Sequence, residues 1–364
     1  MNVLLIHDYT YDQDCFLIER ALKCLNVVGH RAFVISANDP RYRRLRFSRN
    51  YRKWMTCDIT ALDAATVNAY CRRRRIDLVM PTDIGSTFML SRMRDAITSA
   101  RTFPITNPES LSLLHNKWNF MQWLDKHGMP VPESQLLAPD ASLDGLDLRF
   151  PLIAKPLESS GGQGVKKIDN RDALQVYMRD HLVHSTAPFL IQTFISGEDL
   201  VFGIIAEHGR IRAWTMQKYC EDGSHAEFIE HPELLRIGEQ IARKLNHHGV
   251  AEFDVRLDAE GRPWVIECNP RLWASIVISM CMGVNYVDLG IKLAMGQPLP
   301  ASRLAIGDFV WPKTALTKIL RRQVRMSDLS KQSRYGMFVD FSDPFPYIYD
   351  WLSSTFIGTG RTVS

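Results

Sequence analysis

The sequence predicts an α/β protein: an N-terminal domain on a parallel sheet, then a longer mixed α and β segment. Three observations carry this. A short apolar strand opens the chain (MNVLLIHD, 1–8), strands and helices alternate through residue 81, and beyond 150 strands follow one another through short turns. A chain of 364 residues has room for two or three such domains.

Residues 1–8 read as a buried strand. Within 12–28, Phe16, Leu17, Ala21, Leu22 and Leu25 recur at helical spacing. RAFVIS (31–36) and DLVMP (77–81) are further strands, the latter entering a loop at 82–86. Ligands of such sheets gather outside the carboxyl ends of the strands, which here carry His7, Asp8, Thr82, Asp83 and Ser86. FPITNPES (103–110) is a strand end and a helix start. That helix shows Leu111, Leu114, Trp118, Met121 and Leu124 on one face and stops at Gly128 and Pro130. APDASLDGLDLR (138–149) is a loop. PLIAKPL and GVKKI, joined by ESSGGQG, are strands within 150–168, and a helix follows near 171–182. FLIQTFI (189–195) is a strand that turns through Ser196-Gly197-Glu198-Asp199 into LVFGIIA. A helix covers about 232–247, and AEFDVRLD and RPWVIECNP form a hairpin. There is no internal repeat.

The composition, 46% hydrophobic and 23% charged, excludes disordered and fibrous classes. No run of 18 uncharged apolar residues occurs, so no membrane span is expected, and Trp273–Val287 is short enough for a buried helix. The N-terminus lacks a basic leader, so no signal peptide is expected. Cysteines 15, 24, 57, 71, 220, 268 and 281 are odd in number, widely spaced and free of C-x-x-C. That pattern argues against disulfides and zinc and for a reducing cytoplasm, with all seven read as buried thiols. Charge is uneven: residues 41–75 hold eleven Arg and Lys against Asp58 and Asp63. Such a stretch is either a solvated surface or an attractor of phosphates, anionic polymers or membranes.

Three constellations can carry chemistry. The first is the 251–270 hairpin. With a symmetric four-residue turn at 259–262, Asp258 pairs with Pro263 and Asp254 falls opposite Glu267. One face then carries Glu252, Asp254, Arg256, Val265, Glu267 and Asn269, and the other Ala251, Phe253, Val255, Leu257, Trp264, Ile266 and Cys268. Opposed carboxylates repel unless a cation or proton joins them, and Asn269 completes an all-oxygen set suited to Mg²⁺ with phosphates. A hairpin with its polar face in water is the alternative. The second is Ser159–Val165 after Lys155. Three glycines in four positions expose backbone N–H groups that can line phosphates, and a lysine in an apolar strand needs an anion; a plain turn is the alternative. The third is the strand end 189–195 with Glu198 and Asp199 beyond it, able to hold a flat base and ribose hydroxyls or to be an ordinary turn.

In order and spacing these features resemble the ATP-grasp superfamily: Lys117 on a helix, Lys155 before the Gly loop, the strand with its acidic turn, then Asp254, Glu267 and Asn269. The last spacing is similar to the magnesium motif of D-alanine–D-alanine ligases. The ending E-C-N-P-R is similar to biotin carboxylase and carbamoyl phosphate synthetase, and NPRLWASIVISMCMGVNY to predicted ATP-dependent carboligases. The resemblance spans roughly residues 1–300. It implies a pre-ATP-grasp domain at 1–107, an ATP-grasp domain at 108–300 with a lid at about 131–195, and an extension at 301–364.

It further implies that Lys117 and Lys155 contact ATP phosphates, that Gly161, Gly162 and Gly164 close over them, and that Gln192, Phe194 and Ile195 present backbone to adenine. Asp199 or Glu198 would bind ribose, Asp254, Glu267 and Asn269 would ligate one or two Mg²⁺ (or Mn²⁺), and Arg271, with Lys155, would stabilise the transferring phosphoryl group. Thr193 stands where the family often has Glu. Glu252 stands where D-alanine ligases carry an essential Arg, which argues against that activity.

The implied reaction is ATP-dependent activation of a carboxylate and its joining to an amine. Lys218, His225 and Glu227 either face the acceptor or are surface residues. Two alternatives stand beside this reading: a bicarbonate-using carboligase, and a nucleotide-binding protein that holds an anionic polymer on the 41–75 stretch. A homodimer is a candidate assembly. The basic TALTKILRRQVR (314–325) and the aromatic-rich 337–356 either pack on the core, meet a second subunit or lie on a membrane surface.

Overall fold

The computed structural model describes residues 1–9, 16–157, 159, 161–220, 223–300 and 304–349, apart from the side chains at 40–43 and 182–184. Cys15, Ser160 and the part of the aromatic-rich tail beyond 349 therefore lie outside the described residues. The chain divides into two compact units. Unit 1 holds Met1–Ile105, Cys220–Glu227 and the residues from Arg271 onward; unit 2 holds Thr106–Tyr219 and Phe228–Pro270.

Unit 1 contains β1 (Asn2–His7), α1 (Leu17–Val27), β2 (Arg31–Ser36), β3 (Lys53–Thr56), α2 (Ala64–Arg74), β4 (Leu78–Pro81), α3 (Ile84–Met93) and β5 (Arg101–Thr102). The five strands are parallel in the order β3-β2-β1-β4-β5. β1 is central, so both its faces are covered and its uninterrupted apolar run is what the position demands. The expected loop at 82–86 is largely helix. Asp83 caps α3 by accepting from the Ser86 N–H at 3.1 Å, which starts the helix at residue 84. The basic 41–75 stretch is likewise not one element. It spans a 3₁₀ turn (Pro40–Phe47), edge strand β3 and α2, whose last turn uses Arg72–Arg74 to complement the helix dipole.

Unit 2 contains α4 (Pro108–His115), α5 (Lys117–Lys126), β6 (Ser134–Leu137), β7 (Leu152–Pro156), β8 (Lys166–Ile168), α6 (Arg171–His184), β9 (Phe189–Thr193), β10 (Glu198–Glu207) and β11 (Arg210–Tyr219). β12 (His225–Ile229) crosses the unit boundary in sequence, and α7 (Pro232–Lys244), β13 (Gly249–Leu257) and β14 (Pro263–Asn269) complete the unit. Two antiparallel sheets result. One has the order β6-β9-β7-β8; the other runs β14-β13-β10-β11 through four of its strands. The single helix expected up to His127 is two, because Asn116 leaves the helical region and caps α5 through its side chain on the Asn119 N–H. Lys117 thereby becomes the first residue of a helix.

After unit 2 the chain returns to unit 1 as α8 (Ile276–Cys281), α9 (Tyr286–Ala294), β15 (Gly307–Val310), α10 (Pro312–Leu320) and α11 (Lys331–Phe341). α8 and α9 pack on α1 within unit 1. α11 joins them through buried Lys23, whose ammonium lies 2.6 Å from Asp340 and 3.0 Å from Glu19. Among the described residues no helix is long and apolar enough to cross a membrane.

Candidate nucleotide-binding cleft

Both sheets of unit 2 line one cleft of about 700 Å³. The β13–β14 hairpin forms one wall. Asp254 faces Glu267 across it, as the symmetric turn required, but by two compensating departures. Leu257, not Asp258, pairs with Pro263, because the Asp258 carboxylate accepts from the Glu260 and Arg262 N–H groups and closes a five-residue turn. One extra residue, Ile266, then bulges from β14 between the partners of Val255 and Asp254 and restores the register. The expected faces consequently exchange near the turn: Val265 opposes Val255 in the core, and Trp264 opposes Arg256. The bulge also turns the Ile266 carbonyl toward Lys155 Nζ, 3.4 Å away.

Around that bulge lies a cluster of buried charge. Lys155 is 2% exposed in β7, and Lys117 is 6% exposed at the start of α5. Lys117 Nζ donates to the Ser159 carbonyl at 2.9 Å and lies 3.6 Å from Glu267, joining the Gly loop to the hairpin. Burial pushes the Lys155 ammonium down to about 8, against the attraction of Glu267 and with the repulsion of Lys117. Burial, then Glu252 and Glu267, push the Asp254 carboxyl well above the usual range. Burial would also raise Glu267, but Lys117 and Lys155 override it and hold that carboxyl below its usual value. A proton shared by these two facing carboxyls is thus favoured on Asp254.

The Gly loop is a tight turn in which Gly161, Gly162 and Gly164 all have φ between 62° and 79°. Side chains rarely adopt that conformation, and a Cβ at Gly164 would lie 2.8 Å from Pro156 Cγ. Tyr177 donates to the Gly164 carbonyl at 2.9 Å and ties the loop to α6. Gly161 and Gly162 line the cleft; Gly164 lines an adjoining cavity.

At the far end, Gln192, Phe194 and Ile195 line the cleft at the end of β9. The Phe194 N–H donates to the Pro151 carbonyl at 3.1 Å, and Gln192 Nε2 to Ser134 Oγ. Arg256, given no role from sequence, organises this end. It donates to the carbonyls of Ile195 (3.1 Å) and Gly197 (2.6 Å) and to Asp199 (2.7 Å). The Phe194 ring lies beneath Arg256 and Lys167, with cation–centroid distances of 5.6 and 4.6 Å. Asp199 lines the cleft, whereas Glu198 pairs with Lys218. Arg256 stood on the polar face of the hairpin, but its three acceptors lie some sixty residues away, and no local signal joins them.

Asn269 donates from Nδ2 to buried Glu252 at 2.7 Å, which brings a third carboxylate beside Asp254. Arg271 belongs to unit 1, is buried and donates from Nη1 to the Leu272 carbonyl at 2.8 Å. Among the described residues no three Asp, Glu, His or Cys side chains converge as a closed cation cage. The Asp254–Glu267 pair fits a divalent ion held through one or two carboxylates, with phosphate and water completing its shell, and the crowding that pushes up Asp254 is what such an ion relieves.

Residues 114–275 match the family described as ATP-grasp domain. The chain is similar to the carbamoyl phosphate synthase large chain of Thermoanaerobacter sp. (strain X514), 25% identical over 231 residues, covering 59% of this chain and 21% of that protein. It is also similar to a D-alanine–D-alanine ligase of Cupriavidus taiwanensis, 24% identical over 201 residues, covering 48% of this chain and 61% of that one. The chain thus spans only about a fifth of the length of the carbamoyl phosphate synthase large chains it matches. Among solved structures it shares its fold with an L-amino acid ligase from Bacillus licheniformis (TM-score 0.59, 17% identity, 82% of this chain and 75% of that chain). A biotin carboxylase from Campylobacter jejuni gives a TM-score of 0.60 at 16% identity over 83% of this chain and 73% of that chain.

Proposed function

From the match of residues 114–275 to the ATP-grasp domain family, we propose that the protein is an ATP-dependent ligase that activates a carboxylate as an acyl-phosphate and joins it to an amine. The observation that carries this reading is the buried group of Lys117, Lys155, Asp254 and Glu267 at the Gly-loop end of the cleft. Two ammonium groups shielded from water are suited to a polyphosphate, and a carboxylate pair between them to a divalent cation. ATP then lies with adenine against Gln192, Phe194 and Ile195. Its ribose meets Asp199 rather than Glu198, and its phosphates meet Lys117, Lys155 and the backbone at Gly161, Gly162 and Gly164. Asp254, Glu267 and Asn269 hold Mg²⁺, which supplies neutralisation of phosphate charge.

In this reading a carboxylate oxygen of the substrate attacks the γ-phosphorus in line and ADP leaves. Lys155 and Arg271 stabilise the charge on the transferring phosphoryl group. The amine attacks the acyl carbon, phosphate leaves and the nitrogen gives up a proton. Closure of the Gly loop keeps water from the acyl-phosphate.

The test is ADP release from ATP and Mg²⁺ over a panel of carboxylates crossed with amines and bicarbonate, with Glu267→Gln as the blank. Turnover requiring one carboxylate and one amine supports the ligase. Turnover with bicarbonate alone replaces it by the carboligase reading, which the likeness to carbamoyl phosphate synthase and biotin carboxylase keeps in view. ATP binding without turnover, together with salt-sensitive retention of an anionic polymer on the 41–75 stretch, replaces it by a binding protein.

A further inference from the structure

Cys220 and His225 form a pair in unit 1 that the reaction above does not use. They face each other at the neck of the turn between β11 and β12. The Gly223 N–H donates to the Cys220 carbonyl at 2.9 Å, with Gly223 at φ 62°, and the Cys220 N–H reaches the His225 carbonyl at 3.3 Å. The turn therefore sets the two side chains side by side, with Cys220 Sγ 2.9 Å from His225 Nε2. The other ring nitrogen lies 2.9 Å from Ser224 Oγ, and an Asp308 carboxylate oxygen lies 3.9 Å from Nε2. Ser224 is itself held by the Trp311 N–H on its carbonyl. A half-exposed imidazole thus lies between the thiol and a carboxylate, within proton-exchange distance of the sulfur.

The other described thiols lack this arrangement. Cys24, Cys71, Cys268 and Cys281 are buried, and burial pushes Cys71 up to about 11 and Cys281 up to about 12. Cys57 is half-buried, and burial with the neighbouring Asp58 raises it too. Cys220 shares partial exposure with Cys57 and has an imidazole nitrogen against its sulfur.

We propose that Cys220 is a reactive thiol, set up by His225 as a positioning residue, and a site of modification by small disulfides and soft electrophiles. In the exchange the Cys220 thiolate attacks one sulfur of a disulfide such as glutathione disulfide. A Cys220–glutathione bond forms, the S–S bond breaks and the second glutathione leaves as a thiolate that takes up a proton. A dithiol reverses the step. Against the expectation that all seven cysteines are buried thiols, Cys57 and Cys220 are only partly buried, and Cys15 lies outside the described residues.

The test treats the whole protein with limiting iodoacetamide and, separately, with glutathione disulfide, from pH 5.5 to 9.5, and maps the adduct by peptide mass. The expected result is one thiol at pH 7 that reacts at least about tenfold faster than the rest and maps to Cys220. It accepts one glutathione, removable by dithiothreitol, and the fast phase vanishes in Cys220→Ser. His225→Gln, folded by circular dichroism, should move the pH–rate curve upward and recover most of the rate by pH 9.5. The proposal is overturned if the fast thiol maps elsewhere, Cys15 included. It is equally overturned if no thiol stands out, or if His225→Gln leaves the curve where it was.

Discussion

The two ends of the cleft are built in opposite ways. At the Gly-loop end, Lys155 and Lys117 are almost wholly buried beside Asp254 and Glu267, and burial with the neighbouring charges moves the protonation of Lys155, Asp254 and Glu267. At the β9 end, Asp199 is 67% exposed and its partner Arg256 is 21% exposed, an ordinary wet ion pair tied to two backbone carbonyls. Buried charge costs stability unless something fills the site, whereas a wet pair adds little either way. In the proposed function the first end carries the chemistry and the second holds base and sugar.

The comparison breaks most sharply on turnover. Lys155→Met and Glu267→Gln are expected to lower ADP release by about 10²–10³-fold, because the first removes a cation that would face the phosphates and the second a carboxylate that would hold Mg²⁺; single-turnover assays against unchanged circular dichroism check this. Next comes pH. The Lys155 ammonium is pushed from 10.5 down to about 8, so between those values the unfolded chain binds a proton that the folded chain does not. The penalty of burying that charge is complete below about 8 and fades as pH rises toward 10.5, so this residue makes stability increase with pH across that window. Urea denaturation at pH 7.5, 9 and 10 should show a positive slope for the wild type that is reduced in Lys155→Met.

A smaller effect is expected of Asp254→Asn, which removes one of three crowded carboxyls. It should raise stability by about 1 kcal/mol in the absence of nucleotide. A fall in melting temperature would mean that the crowding is not destabilising. Smallest is Arg256→Lys at the open end. It should raise the KM for ATP by no more than about fivefold, in keeping with the roughly 1 kcal/mol ceiling of exposed pairs, and leave kcat within a factor of two of the wild type.

The same contrast governs what the sequence reveals. Asp254 opposite Glu267 was legible only because the longer turn and the Ile266 bulge cancel in register, and the need of Lys155 for an anion was legible from its apolar flanks. The bulge at Ile266 was not, since it depends on how the Asp258 side chain closes the turn, and it exchanges Val265 and Trp264 between faces. Arg256 was seen as a polar residue without a task, because its acceptors at 195, 197 and 199 come from another strand end. In the fold, β1, β2 and β4 announced themselves by apolar runs. Short β3 and β15 are edge-length strands with no such run, and β3 hides inside the basic stretch. The helix break at Asn116 rests on one side-chain cap within an otherwise continuous apolar spacing.

The central claim is that the buried charges at the Gly-loop end hold the phosphates of ATP. Isothermal titration of ATP with Mg²⁺ into the wild type, Lys155→Met and Glu267→Gln at pH 7.5 tests it most directly. The account predicts one site per chain in the wild type and at least tenfold weaker binding in both variants, with adenosine alone binding all three alike. Equal affinity for ATP in all three proteins would contradict it.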